Sequence, residues 1–136
     1  MPVIPPRATI CVFAPSEGAA SRFSEALAPF FGLRWTSAAD EISHDDDLIL
    51  VAGWRKDDGA ACRAARAQTS IPIILITYDA TSRAVVEGLQ AGADVVVPAD
   101  IQPSELQARI RAMIRRNRMP SSADGFRILR LSDSTS

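Results

Sequence analysis

Short apolar runs alternate with amphipathic segments along most of the chain. Apolar and β-branched residues concentrate in five runs, which we predict to be strands, at positions 9–13, 33–37, 47–51, 71–76 and 94–97. The run at 71–76 contains no polar residue, which is typical of a strand covered on both faces. Strands of this kind occur in parallel sheets, so the pattern predicts a parallel sheet with helices between its strands.

Helical spacing of apolar residues occupies the segments between these runs. Ser16 is the predicted N-cap of a first helix, which ends or kinks near Ala28 because Pro29 cannot continue it. The predicted apolar face of this helix comprises Ala20, Phe23, Leu27 and Phe30. Positions 38–46 leave room for about one helical turn, and positions 60–68 predict a further helix.

Two more helices flank the last predicted strand. The first is capped by Asp79, Thr81 or Ser82 and is stopped by Gly92. Its apolar positions at helical spacing are Ala84, Val85, Leu89 and Ala93. The second begins at Pro103, and its apolar stripe comprises Leu106, Ile110, Met113 and Ile114.

The order of these elements predicts an α/β fold. Strands and helices alternate, with the second helix shortened, and right-handed crossovers then give a doubly wound, five-stranded parallel sheet. The length suits one domain, which we expect at 1–119, with a linker and tail at 120–136. The tail alternates apolar and basic residues, and either the start of a missing output domain or a simple extension fits this pattern.

Three motifs in the second half of the chain resemble the receiver domain of response regulators from two-component signalling. An apolar strand followed by a hydroxyl residue spans Pro72 to Thr77, and the pattern G-L-x-A-G-A-D spans Gly88 to Asp94. The pattern P-x-E-L followed by A-R-x-R-A-x-x-R-R spans Pro103 to Arg116. The resemblance implies the flavodoxin-like strand order 2-1-3-4-5 and a role in bacterial signal transduction or transcription regulation. The tail also resembles the start of a winged-helix output domain.

The resemblance also implies where the family's phosphorylation chemistry should lie. A working receiver holds a divalent cation with two acidic residues after the first strand and an acceptor aspartate after the third, and a lysine after the fifth strand pairs with the phosphoryl oxygens. Alignment puts Ala14 and Pro15 at the acidic pair, Ala52 at the acceptor and Ala99 at the lysine. Thr77 keeps the family's switch hydroxyl, either as a vestigial switch or simply as a hydrogen-bonded residue at the strand end. We therefore predict a degenerate pseudo-receiver with no catalytic residue, no metal and no cofactor.

Two alternatives to this hypothesis remain open. A substitute aspartate, Asp57, Asp58 or Asp100, would make the chain a phosphorylated receiver after all. An apolar crevice at the strand ends would make it a small-molecule sensor. His44 and the three aspartates that follow it are interpreted as a solvated turn, because consecutive side chains point in different directions.

The basic last helix suggests how the chain meets partners. In the family, the face made by the fourth helix, the fifth strand and the fifth helix forms homodimers through arginine and acidic side chains. Matching or nearby positions here are Asp94, Arg109, Arg111 and Arg115, for which a solvated face is the alternative. We expect a homodimer through this face, a regulatory protein partner or a fused output domain, and DNA contact only through that output domain.

Composition narrows the class of protein. The net charge is −1, yet beyond position 100 the chain has seven arginines and only three carboxylates, so electrostatic partners are expected at the last helix.

The chain has no apolar run long enough to cross a membrane, and prolines interrupt its N-terminus, which predicts a cytoplasmic protein. Cys11 and Cys62 lie in apolar contexts and are predicted to be buried thiols. No nucleotide-binding or nucleophile motif is present, so an enzyme is not expected.

Overall fold

The computed structural model describes residues 8–14, 21–43, 45–52, 58–78 and 81–118. The strands are β1 (Thr9–Phe13), β2 (Gly32–Thr36), β3 (Leu48–Ala52), β4 (Ile73–Thr77) and β5 (Val95–Pro98). The helices are α1 (Ser21–Leu27), α2 (Asp58–Gln68), α3 (Ser82–Gln90) and α4 (Pro103–Arg118). A 3₁₀ turn, Ala39–Glu41, follows β2.

The strands form one sheet in the order β2-β1-β3-β4-β5, and each neighbouring pair is parallel. The predicted strand order is confirmed. The predicted shortening of the second helix agrees with the structure, because the described residues between β2 and β3 contain a 3₁₀ turn and no longer helix. In that turn the Thr36 hydroxyl donates to Glu41 Oε1 at 2.6 Å and accepts the Ala38 N–H at 3.1 Å.

Alternating side chains of the buried strands divide the core into two layers. On one side of the sheet, Leu50 of β3 and Ile74 of β4 belong to a cluster with Leu27 of α1 and with Leu106 and Ile110 of α4. On the other side, residues next to these in sequence pack with α2 and with the segment that follows α3, namely Ile49, Val51, Ile73 and Leu75. The period-two pattern of a strand thus places helices on both faces, as in a doubly wound fold.

Two predicted apolar faces differ from the structure. Phe30 is 48% exposed and Phe31 is buried in its place, because α1 ends at Leu27 and the chain turns before β2. Leu89, predicted to share the inner face of α3, is 44% exposed. Among the nine residues of α3, the buried one is Gly88.

Gly88 explains why α3 exposes its larger apolar residues. A Cβ atom built on Gly88 would lie 2.8 Å from Leu75 Cδ2 and 3.0 Å from Val96 Cγ2, which is closer than carbon atoms pack. The glycine therefore lets the helix backbone lie directly against β4 and β5. The side chains of Val86 and Leu89 are then exposed to solvent.

Within the part of the chain that the structure describes, no helix has both the length and the apolar character required to span a bilayer.

Candidate functional site

The carboxyl ends of four strands meet at one edge of the sheet. Phe13 pairs with Val51, Ala52 with Ile76, and Thr77 with Pro98, so these strands end nearly level. The residues that alignment assigned to the family's phosphorylation site, in so far as the structure describes them, lie at this edge: Ala14, Ala52, Thr77 and Ala99. In an open α/β sheet this edge is where ligands bind.

The three alanines at this edge belong to the hydrophobic core. Ala14, Ala52 and Ala99 are 9%, 3% and 6% exposed, and all three are part of the cluster on the α1 and α4 side. The Ala14 N–H donates to Thr36 O at 3.0 Å, and the Ala99 N–H donates to Thr77 O at 2.8 Å. Methyl groups cannot ligate a metal, attack phosphorus or pair with an anion. The strand ends thus provide apolar surface where the family's chemistry requires charge.

Thr77 is the last residue of β4 and is 1% exposed. Its position at the strand end agrees with the family's pattern, and its assignment as a vestigial switch stays a prediction. Val96 of β5 packs on the other side of the sheet, beside Gly88 of α3.

The substitute acceptors fall in different places. Asp100 is exposed in the turn after β5, where the Ile101 N–H donates to Pro98 O at 3.1 Å. The predictions for Pro15, Asp57 and the tail at 120–136 lie outside the described residues. Asp58 is the first residue of α2, and its side chain is likewise not described.

The acidic run before β3 was interpreted as a solvated turn. In the structure, two of its aspartates instead form hydrogen bonds within the chain. Asp46 is 9% exposed, and its carboxylate accepts a hydrogen bond from the Arg34 guanidinium at 2.5 Å. This hydrogen bond raises the pKa of Arg34. Asp47 Oδ2 accepts the Thr9 N–H at 2.8 Å, at the start of β1. In the described ranges no three histidine, cysteine, aspartate or glutamate residues are grouped closely enough to hold a metal.

The four predicted interface residues lie in separate surroundings. Asp94 precedes β5, and its Oδ2 is 2.8 Å from Arg66 Nη2. Arg109 forms an exposed ion pair with Glu105 one turn earlier on α4, at 3.1 Å. Arg111 and Arg115 are exposed on α4 as well.

One flank of α4 faces α1. The Gln107 side chain donates to Ala26 O at 3.0 Å, and the Arg111 guanidinium lies 5.2 Å from the centre of the Phe30 ring. Arg109 and Arg116 project from the opposite flank, because two residues along a helix rotate the side chain by about 200°. The structure therefore separates Arg111 from Arg109, and of these two Arg109 lies on the flank next to the β5 edge.

We use the name α3–β5–α4 face for the surface around edge strand β5. Its α3 part is apolar, with Val86 and Leu89 exposed by 49% and 44%. The remaining members that we assign to it are Pro98 of β5 and Arg109 and Arg116 of α4, all of them exposed. Because the family's second helix is reduced here to the 3₁₀ turn, α3 and α4 correspond to the family's fourth and fifth helices. The α3–β5–α4 face is therefore the predicted dimer face.

A separate cleft of about 390 Å³ lies between α2 and α3. Its lining includes the guanidinium-bearing Arg63 on one side and Glu87 and Gln90 on the other. None of the strand-end residues lines this cleft.

Sequence reasoning missed the role of Arg66. Its guanidinium contacts two backbone segments in addition to Asp94. An arginine in a run of small and basic helical residues carries no pattern that would reveal such partners.

Comparisons with known proteins agree with this geometry. No family model matches the chain. The DNA-binding response regulator MtrA of Mycolicibacterium smegmatis is 45% identical over 56 residues, which is 41% of this chain and 25% of that protein. The probable transcriptional regulator ycf27 of Cyanophora paradoxa is 31% identical over 109 residues, which is 74% of this chain and 46% of that protein. The chain thus spans less than half the length of these curated relatives.

Solved structures share the whole architecture. A two-component response regulator from Clostridium difficile superposes with a TM-score of 0.69 at 19% identity, covering 83% of this chain and all of that one. The receiver domain of a sensor histidine kinase from Pseudomonas aeruginosa, solved with magnesium in its active-site cleft, gives 0.65 at 20% identity, covering 80% and 98%. The chain therefore has the receiver fold, and it is related in sequence to the response regulators of two-component signalling.

Proposed function

We propose that this chain is a pseudo-receiver, which transmits a signal by associating with other proteins and not by phosphorylation at its strand ends. The observation that carries the proposal is the burial of Ala14, Ala52 and Ala99 in the core at the edge where the family's chemistry takes place.

The chemistry of an acyl phosphate explains why these alanines matter. A carboxylate must attack phosphorus while a divalent cation and an ammonium group balance the charge that develops on the phosphoryl oxygens. A methyl group supplies none of these functions. Because the three side chains are enclosed in one apolar cluster, a neighbouring carboxylate cannot take their place without entering the core.

We propose that the partner at the α3–β5–α4 face is a second copy of the chain. Exposed Val86 and Leu89 offer apolar area that a two-fold contact would bury. Charges of both signs border them, with Arg83 and Glu87 on α3 and an ion-paired Glu105 on α4. A surface that carries both signs can pair with its own copy across a two-fold axis.

The curated relatives suggest the context in which such a module works. They are named as a DNA-binding response regulator and a probable transcriptional regulator, and this chain spans only part of each. We propose that residues 1–119 form the receiver-like domain and that 120–136 lead into an output domain, through which any DNA contact is made. A regulatory protein that binds the domain would then replace phosphorylation as the input.

A phosphodonor assay tests the proposal. The protein is incubated with magnesium and acetyl phosphate, and separately with beryllium fluoride, beside a receiver of known competence as the positive control. We expect no added phosphoryl mass by intact mass spectrometry and no shift in NMR spectra. A stoichiometric adduct would overturn the proposal, and the variants Asp100→Asn, Asp57→Asn and Asp58→Asn would then locate the acceptor.

Sedimentation equilibrium tests the association. We expect a reversible dimer whose fraction rises with protein concentration. A monomer at every concentration up to the millimolar range would exclude self-association as the mode of action.

A further inference from the structure

The Arg66 side chain of α2 binds both the segment just after its own helix and the distant connection between α3 and β5. Its Nε and Nη2 atoms donate to Gly92 O at 3.2 and 2.9 Å. Its Nη1 atom donates to Thr69 O at 3.2 Å and to Ile71 O at 3.1 Å, just before β4. Its Nη2 atom also donates to Asp94 Oδ2 at 2.8 Å, just before β5.

Asp94 extends this network into the sheet. The same Oδ2 atom that binds Arg66 accepts the Ile73 N–H at 2.8 Å, and the Asp94 N–H donates to Ile73 O at 2.9 Å. The first residue of β4 is thus bound both to the backbone and to the side chain of Asp94. The Asp94 side chain is 48% exposed, and its carboxylate accepts from two donors of its own chain at the residue just before β5.

Gly92 lets the connection between α3 and β5 approach Arg66 of α2 closely. Its φ angle is +125°, in a region that favours glycine, and a Cβ built on it would lie 2.9 Å from Arg66 Cβ. The connection between α3 and β5 therefore passes directly against α2. Any side chain at position 92 would push the connection away from Arg66.

This arrangement differs from a surface ion pair. The Arg66 side chain is 31% exposed, and four of its five hydrogen bonds go to backbone carbonyls, which cannot move without moving the chain. A planar guanidinium can hold several acceptors at once in a fixed fork, whereas an ammonium group cannot. Arg66 therefore restricts the backbone position of the connection, in addition to balancing the charge of Asp94.

The connection lies between the two elements whose relative position shapes the α3–β5–α4 face. Leu89 precedes Gly92 by three residues, and β5 begins at Val95. Gly88 is the buried residue of α3, so the helix meets the sheet chiefly through this one close approach, and the connection that follows is a second constraint on its position.

We infer that Arg66 is a positioning residue for the α3–β5–α4 face: it holds the connection that sets α3 against β5, and its loss weakens self-association although it is not itself part of the face. This inference rests on the proposed association through that face. It also gives Asp94 a role inside the chain in place of the predicted role at the interface.

The test compares Arg66→Met with Arg63→Met. Arg63 lies one turn earlier on α2, is exposed, and has no hydrogen bond among those that the described residues show. Amide hydrogen exchange of residues 91–97 reports on the connection, and sedimentation equilibrium reports on association. Arg66→Lys, which keeps the charge and loses the fork, serves if the methionine variant does not fold. Ile10→Val in β1 lowers stability away from the connection and controls for a general loss of stability.

For Arg66→Met we expect faster exchange at 91–97 than in wild type, and a dimer dissociation constant raised about threefold to thirtyfold, the range for couplings between residues that do not touch the ligand. Arg63→Met and Ile10→Val should leave both quantities near wild type. Gly92→Ala adds a methyl group against Arg66 and so disturbs the same contact at its other partner. It should reproduce the effect of Arg66→Met.

Several results would overturn the inference. Unchanged exchange at 91–97 in Arg66→Met would show that the connection is held by other contacts. Faster exchange with unchanged association would show that the connection does not shape the face. If wild type itself does not associate, the proposed function fails, and the exchange experiment still decides whether Arg66 holds the connection.

Discussion

The Arg111 guanidinium lies 5.2 Å from the centre of the Phe30 ring and 5.7 Å from that of Phe31. Arg111 is one of the predicted interface residues, and in this structure it covers the turn after α1. The contact explains how Phe30 remains half exposed to solvent at a position that the helical pattern assigned to the core. One arginine of α4 therefore contacts the turn after α1 of the same chain.

Arg111→Ala should lower the free energy of unfolding by about 0.5–1 kcal/mol, the range for a cation–π contact at an exposed site. It should leave self-association unchanged, because Arg111 lies on the α1 flank of α4. Urea denaturation and sedimentation measure the two effects. Arg115→Ala, an exposed arginine on the same helix, is the matched control; an equal loss of stability in both variants would contradict the role of the ring contact.

Gly88→Ala should destabilise the fold although alanine favours helices by about 1 kcal/mol over glycine. The added methyl group would meet Leu75 Cδ2 at 2.8 Å, and overpacking of this kind costs about 1–3 kcal/mol. Gln90→Ala on the exposed side of the same helix should be nearly neutral. A Gly88→Ala protein with a urea midpoint above that of wild type would show that α3 is not held by this close approach.

Leu89→Lys should weaken self-association by about tenfold or more, because it places a charge in the apolar part of the α3–β5–α4 face. Folding should be nearly unaffected, since Leu89 is already 44% exposed. Gln90→Lys adds the same charge at the next position of α3 and is the control. If both variants associate as wild type does, the second copy binds elsewhere.

Cys11 should make stability depend on pH in the alkaline range. Burial raises the pKa of its thiol from 9.0 to about 11, so the folded state binds the proton more tightly than the unfolded state. The contribution of the neutral thiol is fully present below pH 9 and is lost as the pH rises from about 9 to 11. Urea midpoints measured between pH 8 and pH 11 should fall less steeply in Cys11→Ala than in wild type; parallel curves would refute this.

The main features of the fold follow from local patterns. The uninterrupted apolar run before Thr77 indicates a strand covered on both faces, and β4 is fully buried. Thr81 was one of three predicted caps, and its hydroxyl accepts the Ala84 N–H. Both signals depend only on residues adjacent in sequence, so the chain reveals them without its tertiary structure.

The features that the sequence did not predict depend on distant contacts. Leu89 has the right spacing for a core residue, yet the close fit between Gly88 and Leu75 rotates it outward. Asp94 matched a family interface position, and its partner Arg66 comes from a helix 28 residues earlier. Helical spacing states which residues share a face, but the neighbouring elements decide which face is buried.

The buried alanines make phosphorylation chemistry at the strand ends difficult to build by stepwise substitution. A single substitution such as Ala52→Asp would place a carboxylate in an apolar cluster with neither a cation nor a metal beside it. The group would remain protonated or would open the core, and it would contribute no phosphorylation until its partners were also restored. Each intermediate sequence would therefore be less stable than the present one without being more active. Because the three small residues are buried together, a charged site at these strand ends would require several substitutions at once.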